Sequence, residues 1–123
     1  NLNAKRDWGH AKDYVRAMWL MMQQSSPKDY VISTGKQYTV KQFLNLASKK
    51  LGMKIRWTGK KEKEKGFWGN REIISIDKKY FRPTEVESLK GNSDLAKKEL
   101  KWKPYYNVNS MIKEMIEDEY NKL

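Results

Sequence analysis

Between Ala11 and Gln24 the apolar residues Ala11, Tyr14, Val15, Met18, Met21 and Met22 recur in steps of three and four. That spacing predicts an amphipathic helix over about 11–24, with its Met and Trp side chains in the core. Asp7, just upstream, is the expected cap. Ser25-Ser26-Pro27 ends the helix, because proline cannot continue it and restricts the residue before it. Tyr30-Val31-Ile32-Ser33 is short, apolar and β-branched, and reads as a buried strand broken by Gly35. Thr39 and Gln42 then have capping-box spacing, so a second helix starts there. Val40, Phe43, Leu44, Ala47 and Leu51 line its face, and Gly52 suits the left-handed residue past its end. Apolar and polar residues alternate over 53–57, which predicts a strand.

Residues 58–71 hold Gly59, Gly66, Gly69 and the run Lys60-Lys61-Glu62-Lys63-Glu64-Lys65. They read as a flexible, solvated Lys-rich loop, since charged runs are usually exposed. Phe67-Trp68 interrupts the polarity, either as a local packing anchor or as a contact for a partner segment. A short strand follows at 72–76. Asn92 or Ser93 caps a short helix through Leu100, and Trp102-Lys103-Pro104 closes it. A last helix at about 110–120 turns Met111, Ile112, Met115 and Ile116 inward. The order helix, strand, helix, strand, strand, helix, helix predicts a small α/β lobe over 1–123, without internal repeats.

Composition narrows what this lobe can be. Hydrophobic residues make up 38% and charged residues 33% of 123, so the core is small, although five Trp, seven Tyr and six Met each bury much apolar area. The absence of cysteine excludes a disulfide framework and thiolate metal sites. No apolar run has membrane-spanning length, and the N-terminal residues are not followed by a signal-type apolar stretch, so no membrane association and a cytoplasmic location are expected. A first residue other than Met leads us to expect a fragment or a processed product. The formal charge of +11 favours polyanions or phosphorylated ligands.

The chemistry is that of binding rather than catalysis. One histidine, His10, cannot build a His-rich metal site, and no carboxylate cluster has ligand spacing. Nothing local ties His10 to a nucleophile, and a lone histidine near a helix start is usually structural. Gly66-Phe67-Trp68-Gly69 lacks the third glycine and the strand-then-helix context of a dinucleotide cradle. In Arg82-Pro83-x-Glu85, by contrast, a planar guanidinium suits phosphate oxygens and a carboxylate suits vicinal ribose hydroxyls. Arg6, in Arg6-Asp7-Trp8-Gly9, stands just before the first helix, where unpaired amides also favour an anion. Taken singly, each is better read as an exposed Arg beside a cap or as a surface Arg–Glu pair, worth about 0–1 kcal/mol.

The ordered set of motifs resembles one family. Asn1-Leu2-x-Ala4-Lys5-Arg6-Asp7-Trp8-Gly9-His10-Ala11-Lys12-Asp13-Tyr14-Val15 and Ala17-Met18-Trp19 closely resemble the GDP-mannose 4,6-dehydratases. So do Tyr30-Val31-Ile32-x-Thr34-Gly35, Tyr80-Phe81-Arg82-Pro83-Thr84-Glu85-Val86 and Trp102-Lys103-Pro104. The resemblance covers nearly the whole chain. It implies an extended short-chain dehydrogenase/reductase fold, of which this is the small C-terminal substrate-binding lobe with the Rossmann core largely absent. It further implies a lyase that converts GDP-mannose to GDP-4-keto-6-deoxymannose with NADP, toward GDP-fucose, in a parent enzyme that is a homo-oligomer. Carried over by position, Arg6, Arg82 and Glu85 would hold the nucleoside diphosphate. The family's Rossmann glycines and its active-site Thr, Glu, Tyr and Lys have no match here, and no Tyr in the chain has a Lys four positions later. The chain alone is therefore expected to bind no cofactor and to carry no catalytic residue, and to expose apolar surface that packs on the missing N-terminal Rossmann portion. Lys101 stands where the family usually has Gly, which predicts a strained helix end, and Asn92 replaces a common Asp. The competing readings are a basic nucleic-acid-binding α/β module and a bare α/β interaction domain. The first lacks an Arg/Lys stripe on any one helix and an aromatic sheet motif.

Overall fold

The computed structural model describes residues 1–80 and 86–122. In chain order its elements are β1 (Lys5–Asp7), α1 (Ala11–Met22), β2 (Gln37–Thr39), α2 (Val40–Lys50), β3 (Arg56–Thr58), β4 (Lys65–Trp68), β5 (Arg71–Ser75), α3 (Asp94–Glu99) and α4 (Val108–Tyr120). Short 3-10 turns lie at Lys61–Lys63 and Lys78–Tyr80. β1 pairs with β2, and β3, β4 and β5 form a separate three-stranded sheet in that order. The α/β class is as expected. The described residues divide into two compact units, one of residues 1–5 and 39–88, the other of 6–38 and 89–123.

In the first unit α2 begins as its sequence dictates. The Thr39 hydroxyl accepts from the Gln42 amide at 3.0 Å, and Gln42 Oε1 accepts from the Thr39 amide at 2.7 Å, so two orphan donors are satisfied reciprocally. Gly52 takes the left-handed φ of 70° past its end. The strand expected over 53–57 forms later, as β3, and the loop expected over 58–71 is largely the 3-10 turn and the central strand β4. Two sequence features hid this strand. Gly66 lies inside it, and a Cβ there would meet Ile55, Trp57 and Ile74 at 3.0–3.2 Å, so only glycine lets those side chains close over the sheet. Glu64, one of the charges taken for a solvated run, is buried and paired with Lys41. Phe67 packs beneath the Arg56 guanidinium at 4.9 Å, whereas Trp68 is exposed.

The second unit is built on Ala17, Ala96, Leu100 and Trp102, with Tyr14, Leu20, Met21, Tyr30 and Ile32 packed around them. Trp102 is buried, and its indole N–H donates to the Asp13 carbonyl at 2.9 Å, satisfying the one polar atom of a large apolar side chain. Three expectations change here. Asp7 does not cap α1: His10 does, its Nδ1 accepting from the Lys12 amide at 3.1 Å. Residues 30–33 belong to no strand of either sheet. And Val15, Met18 and Met22 are exposed along with Trp19, because the inward face of α1 carries Ala17, Leu20 and Met21 instead. α4 buries Met111 and Ile112 as expected, while Met115 is exposed. Its start is fixed by Asn107, whose side chain accepts from the Asn109 and Ser110 amides.

Candidate functional site

β1 delivers Arg6 and Asp7 side by side. Asp7 folds back on the loop after residue 33: its oxygens accept from the Thr34 amide at 3.0 Å, the Thr34 hydroxyl at 2.5 Å and the Gly35 amide at 2.8 Å. The carboxylate that sequence spacing assigned to the helix cap instead ties two segments together beside Arg6. Gly9 in the same motif is required by a neighbour, since a Cβ there would stand 2.0 Å from the Tyr14 hydroxyl oxygen. Burial pushes the Tyr14 phenol up in pKa, reinforced by the negative charges of Asp7 and Asp13, so Tyr14 presents a neutral hydroxyl at neutral pH.

Half-buried Arg6 lines a cavity of about 360 Å³ with the polar side chains of Asp7, Tyr14, Ser33 and Lys90 and the apolar ones of Val31, Ile32 and Leu89. A guanidinium and an ammonium on one wall suit an anion, and hydroxyl and carboxylate neighbours suit a polar, hydroxylated ligand. The other two expected site residues, Arg82 and Glu85, lie outside the described residues. A second cavity of about 220 Å³ is more aromatic, with Trp8, Tyr38, Tyr105 and Tyr106 beside Lys36.

Motif reading passed over one buried group on α1. Asp13 is buried, and its carboxylate accepts from the Tyr105 amide at 3.0 Å and the Tyr106 amide at 2.9 Å, with the Arg16 guanidinium at 3.4 Å. Arg16 also donates to the Lys103 carbonyl and lies 3.5 Å above the Tyr105 ring. One α1 carboxylate thus anchors the chain after Trp102-Lys103-Pro104. No local pattern marks its role, because its partners lie 92 and 93 positions away. His10 is likewise structural: it stacks on Tyr106 at 4.0 Å and meets Glu114 at 3.4 Å.

The Gly66-Phe67-Trp68-Gly69 segment does not fit a nicotinamide dinucleotide. In Gly66-Phe67-Trp68-Gly69, the space left by the missing Gly66 Cβ is taken by Ile55, Trp57 and Ile74, so the glycine serves sheet packing and leaves no room for a phosphate. Among the described residues no three His, Asp or Glu side chains gather as a metal site, and no helix is long and apolar enough to cross a membrane.

Comparison with known proteins bears on the family and the fold. Residues 1–115 match the family model described as GDP-mannose 4,6 dehydratase. A GDP-mannose 4,6 dehydratase of Dictyostelium discoideum is 48% identical over 118 residues, and the human protein of that name is 46% identical; each alignment covers 94% of this chain. The chain spans about a third of the length of these relatives, 33% and 32%. Among solved structures, a UDP-glucose 4-epimerase of Thermotoga maritima with UDP-glucose superposes over 96% of the chain and 33% of its own, with a TM-score of 0.66 at 19% identity. The Bordetella bronchiseptica enzyme WbmG, in complex with NAD and UDP, gives 0.68 at 16% identity, over 96% of this chain and 34% of its own. These likenesses place the α/β fold as a portion of the extended short-chain dehydrogenase/reductase architecture. With a family model spanning nearly all of its residues, the chain belongs to the GDP-mannose 4,6-dehydratase family.

Proposed function

We propose that this chain is the substrate-gripping portion of a GDP-mannose 4,6-dehydratase, a lyase that converts GDP-mannose to GDP-4-keto-6-deoxymannose. The observation that carries the reading is the family match over residues 1–115. Arg6, on the wall of a 360 Å³ cavity, supports it, since a planar fork of donors is matched to phosphate oxygens. In this reading Arg6 and Arg82 take the diphosphate and Glu85 the ribose hydroxyls; Arg82 and Glu85 enter on the family resemblance alone. NADP and the groups that transform the sugar belong to a Rossmann portion, joined to this lobe in a homo-oligomeric cytoplasmic enzyme.

Two structural features support that division. The outward stripe Val15, Met18, Trp19 and Met22 on α1 is 57–75% exposed at helical spacing, a larger apolar strip than a solvent-facing helix usually carries. Beyond it in sequence, the apolar stretch 30–33 belongs to no strand of either sheet. A covering Rossmann portion would bury the first and pair the second.

The test is a graft. This chain replaces the matching third of the Dictyostelium discoideum relative, and formation of GDP-4-keto-6-deoxymannose is assayed. The expected result is an active chimera in which Arg6→Ala raises KM for GDP-mannose about 10- to 100-fold, the loss of a charge-assisted contact. A folded chimera without activity, or one indifferent to Arg6→Ala, contradicts the reading.

A further inference from the structure

Arg6 shares its cavity with a second cation, contributed by a different stretch of chain. Lys90 lies in the segment that leads into α3 and lines the same 360 Å³ space. Its position is set by its neighbours. A Cβ on Gly91 would stand 2.4 Å from Ser33 Cβ and 2.5 Å from Ser33 Oγ, so only glycine allows the two backbones to come this close. Two residues on, the Ser93 hydroxyl donates to the Ser33 carbonyl at 3.0 Å, and both serines are buried. The Asn92 side chain accepts from the Asp94 amide at 2.9 Å and carries the chain on into α3. Lys90 is thus the exposed residue beside a segment pinned to the cavity floor.

Charge favours an anion between the two. Among the described residues Asp7 is the one carboxylate that lines this cavity, and its oxygens already accept three hydrogen bonds from residues 34 and 35. Arg6 and Lys90 thus place two cationic side chains on the lining of one cavity. Arg offers a planar fork and Lys a compact, mobile point charge, a pair suited to two linked phosphoryl groups rather than one. Resting on the reading of Arg6 given above, we propose that Lys90 is a further diphosphate contact, binding the ligand's diphosphate together with Arg6. Lys97 supplies a matched comparison. It lines an adjoining cavity, which Lys90 also borders and Arg6 does not, and it faces Asp94 at 3.3 Å.

The experiment titrates GDP and GMP into the 123-residue chain and into its R6Q, K90Q, K90R and K97Q variants, at two salt concentrations. K90Q is expected to weaken GDP about 3- to 10-fold, to weaken GMP less, and to flatten the salt dependence; K90R restores affinity and K97Q leaves it unchanged. If K90Q binds GDP like the parent chain while R6Q binds it weakly, Lys90 is no contact and the proposal falls, with the Arg6 reading intact. The proposal also falls if K90Q weakens GDP and GMP alike, or if K97Q matches K90Q, since either result signals only the general positive field. If the parent chain does not bind GDP, or R6Q binds it undiminished, the Arg6 reading fails and the proposal with it.

Discussion

Two residues show how differently a side chain's role can be written into a sequence. Lys101 follows α3 with φ of 53°, the left-handed region that a residue with a Cβ enters at a cost, while the Trp102 amide returns to the Ala96 carbonyl to close the helix end. That strain was legible through the family resemblance, because the family usually has glycine at this position before Trp-Lys-Pro. Lys101→Gly is expected to stabilise the chain by about 0.5–1 kcal/mol, raising Tm by about 2–6 °C in thermal unfolding. An unchanged or lower Tm would show that the strain is relieved elsewhere. Asp13 was not legible, because nothing near it in sequence reveals that it receives two distant amides. Its loss leaves those buried donors unpaired. Asp13→Ala is expected to cost about 2–4 kcal/mol in urea unfolding, far more than a surface change of about 0.5 kcal/mol. Arg6 lies between these cases: its chemistry is plain from its type, but its cavity depends on residues 89–91, which no local pattern connects to it.

Elements were easiest to read where a local rule fixes them and hardest where distant packing chooses. The start of α2 follows from Thr39 and Gln42 alone, and it is found as expected. The existence of α1 follows from its periodicity, but not its orientation, because the helix is apolar nearly all round: Tyr14, Ala17, Leu20 and Met21 on one side, Val15, Met18, Trp19 and Met22 on the other. Such a helix is built to be covered on both faces, and sequence cannot say which cover is present. β4 was missed because charge dominates its approach, and the cue that Gly66 admits three large side chains exists only in the folded sheet. The exposed stripe leads to a prediction at this scale. Met18→Glu with Trp19→Lys is expected to leave unfolding free energy within about 1 kcal/mol while reducing self-association in sedimentation velocity. Loss of the fold would mean that the stripe supports this chain's own core.

Across the whole molecule, charge is the dominant property, +11 on 123 residues. Several lysines are nonetheless neutralised locally, Lys12 by Glu114 at 2.5 Å and Lys28 by Glu99 at 2.6 Å. Hydrogen bonds from Lys28 and the Tyr30 hydroxyl hold the Glu99 carboxyl below the usual carboxylate range, and Lys12 does the same for Glu114, with His10 assisting. A carboxyl whose folded pKa is depressed adds stability that is present above its unfolded value and lost as pH falls through the folded one. Tm should therefore drop on acidification below the ordinary carboxylate range. Glu99→Gln should lower Tm at pH 7 and shrink that acid-dependent drop; an unchanged acid profile would remove Glu99 from the account.

The remaining positive charge attracts nucleic acid as readily as a nucleotide sugar, and this makes the ligand the decisive question. The most direct test is a titration of GDP-mannose into the chain, with a single-stranded oligonucleotide as competitor at two salt concentrations. The account predicts saturable GDP-mannose binding, weakened about 10- to 100-fold by Arg6→Ala and little disturbed by the oligonucleotide at the higher salt. Tight oligonucleotide binding with a steep salt dependence, and no binding of GDP-mannose, would contradict it.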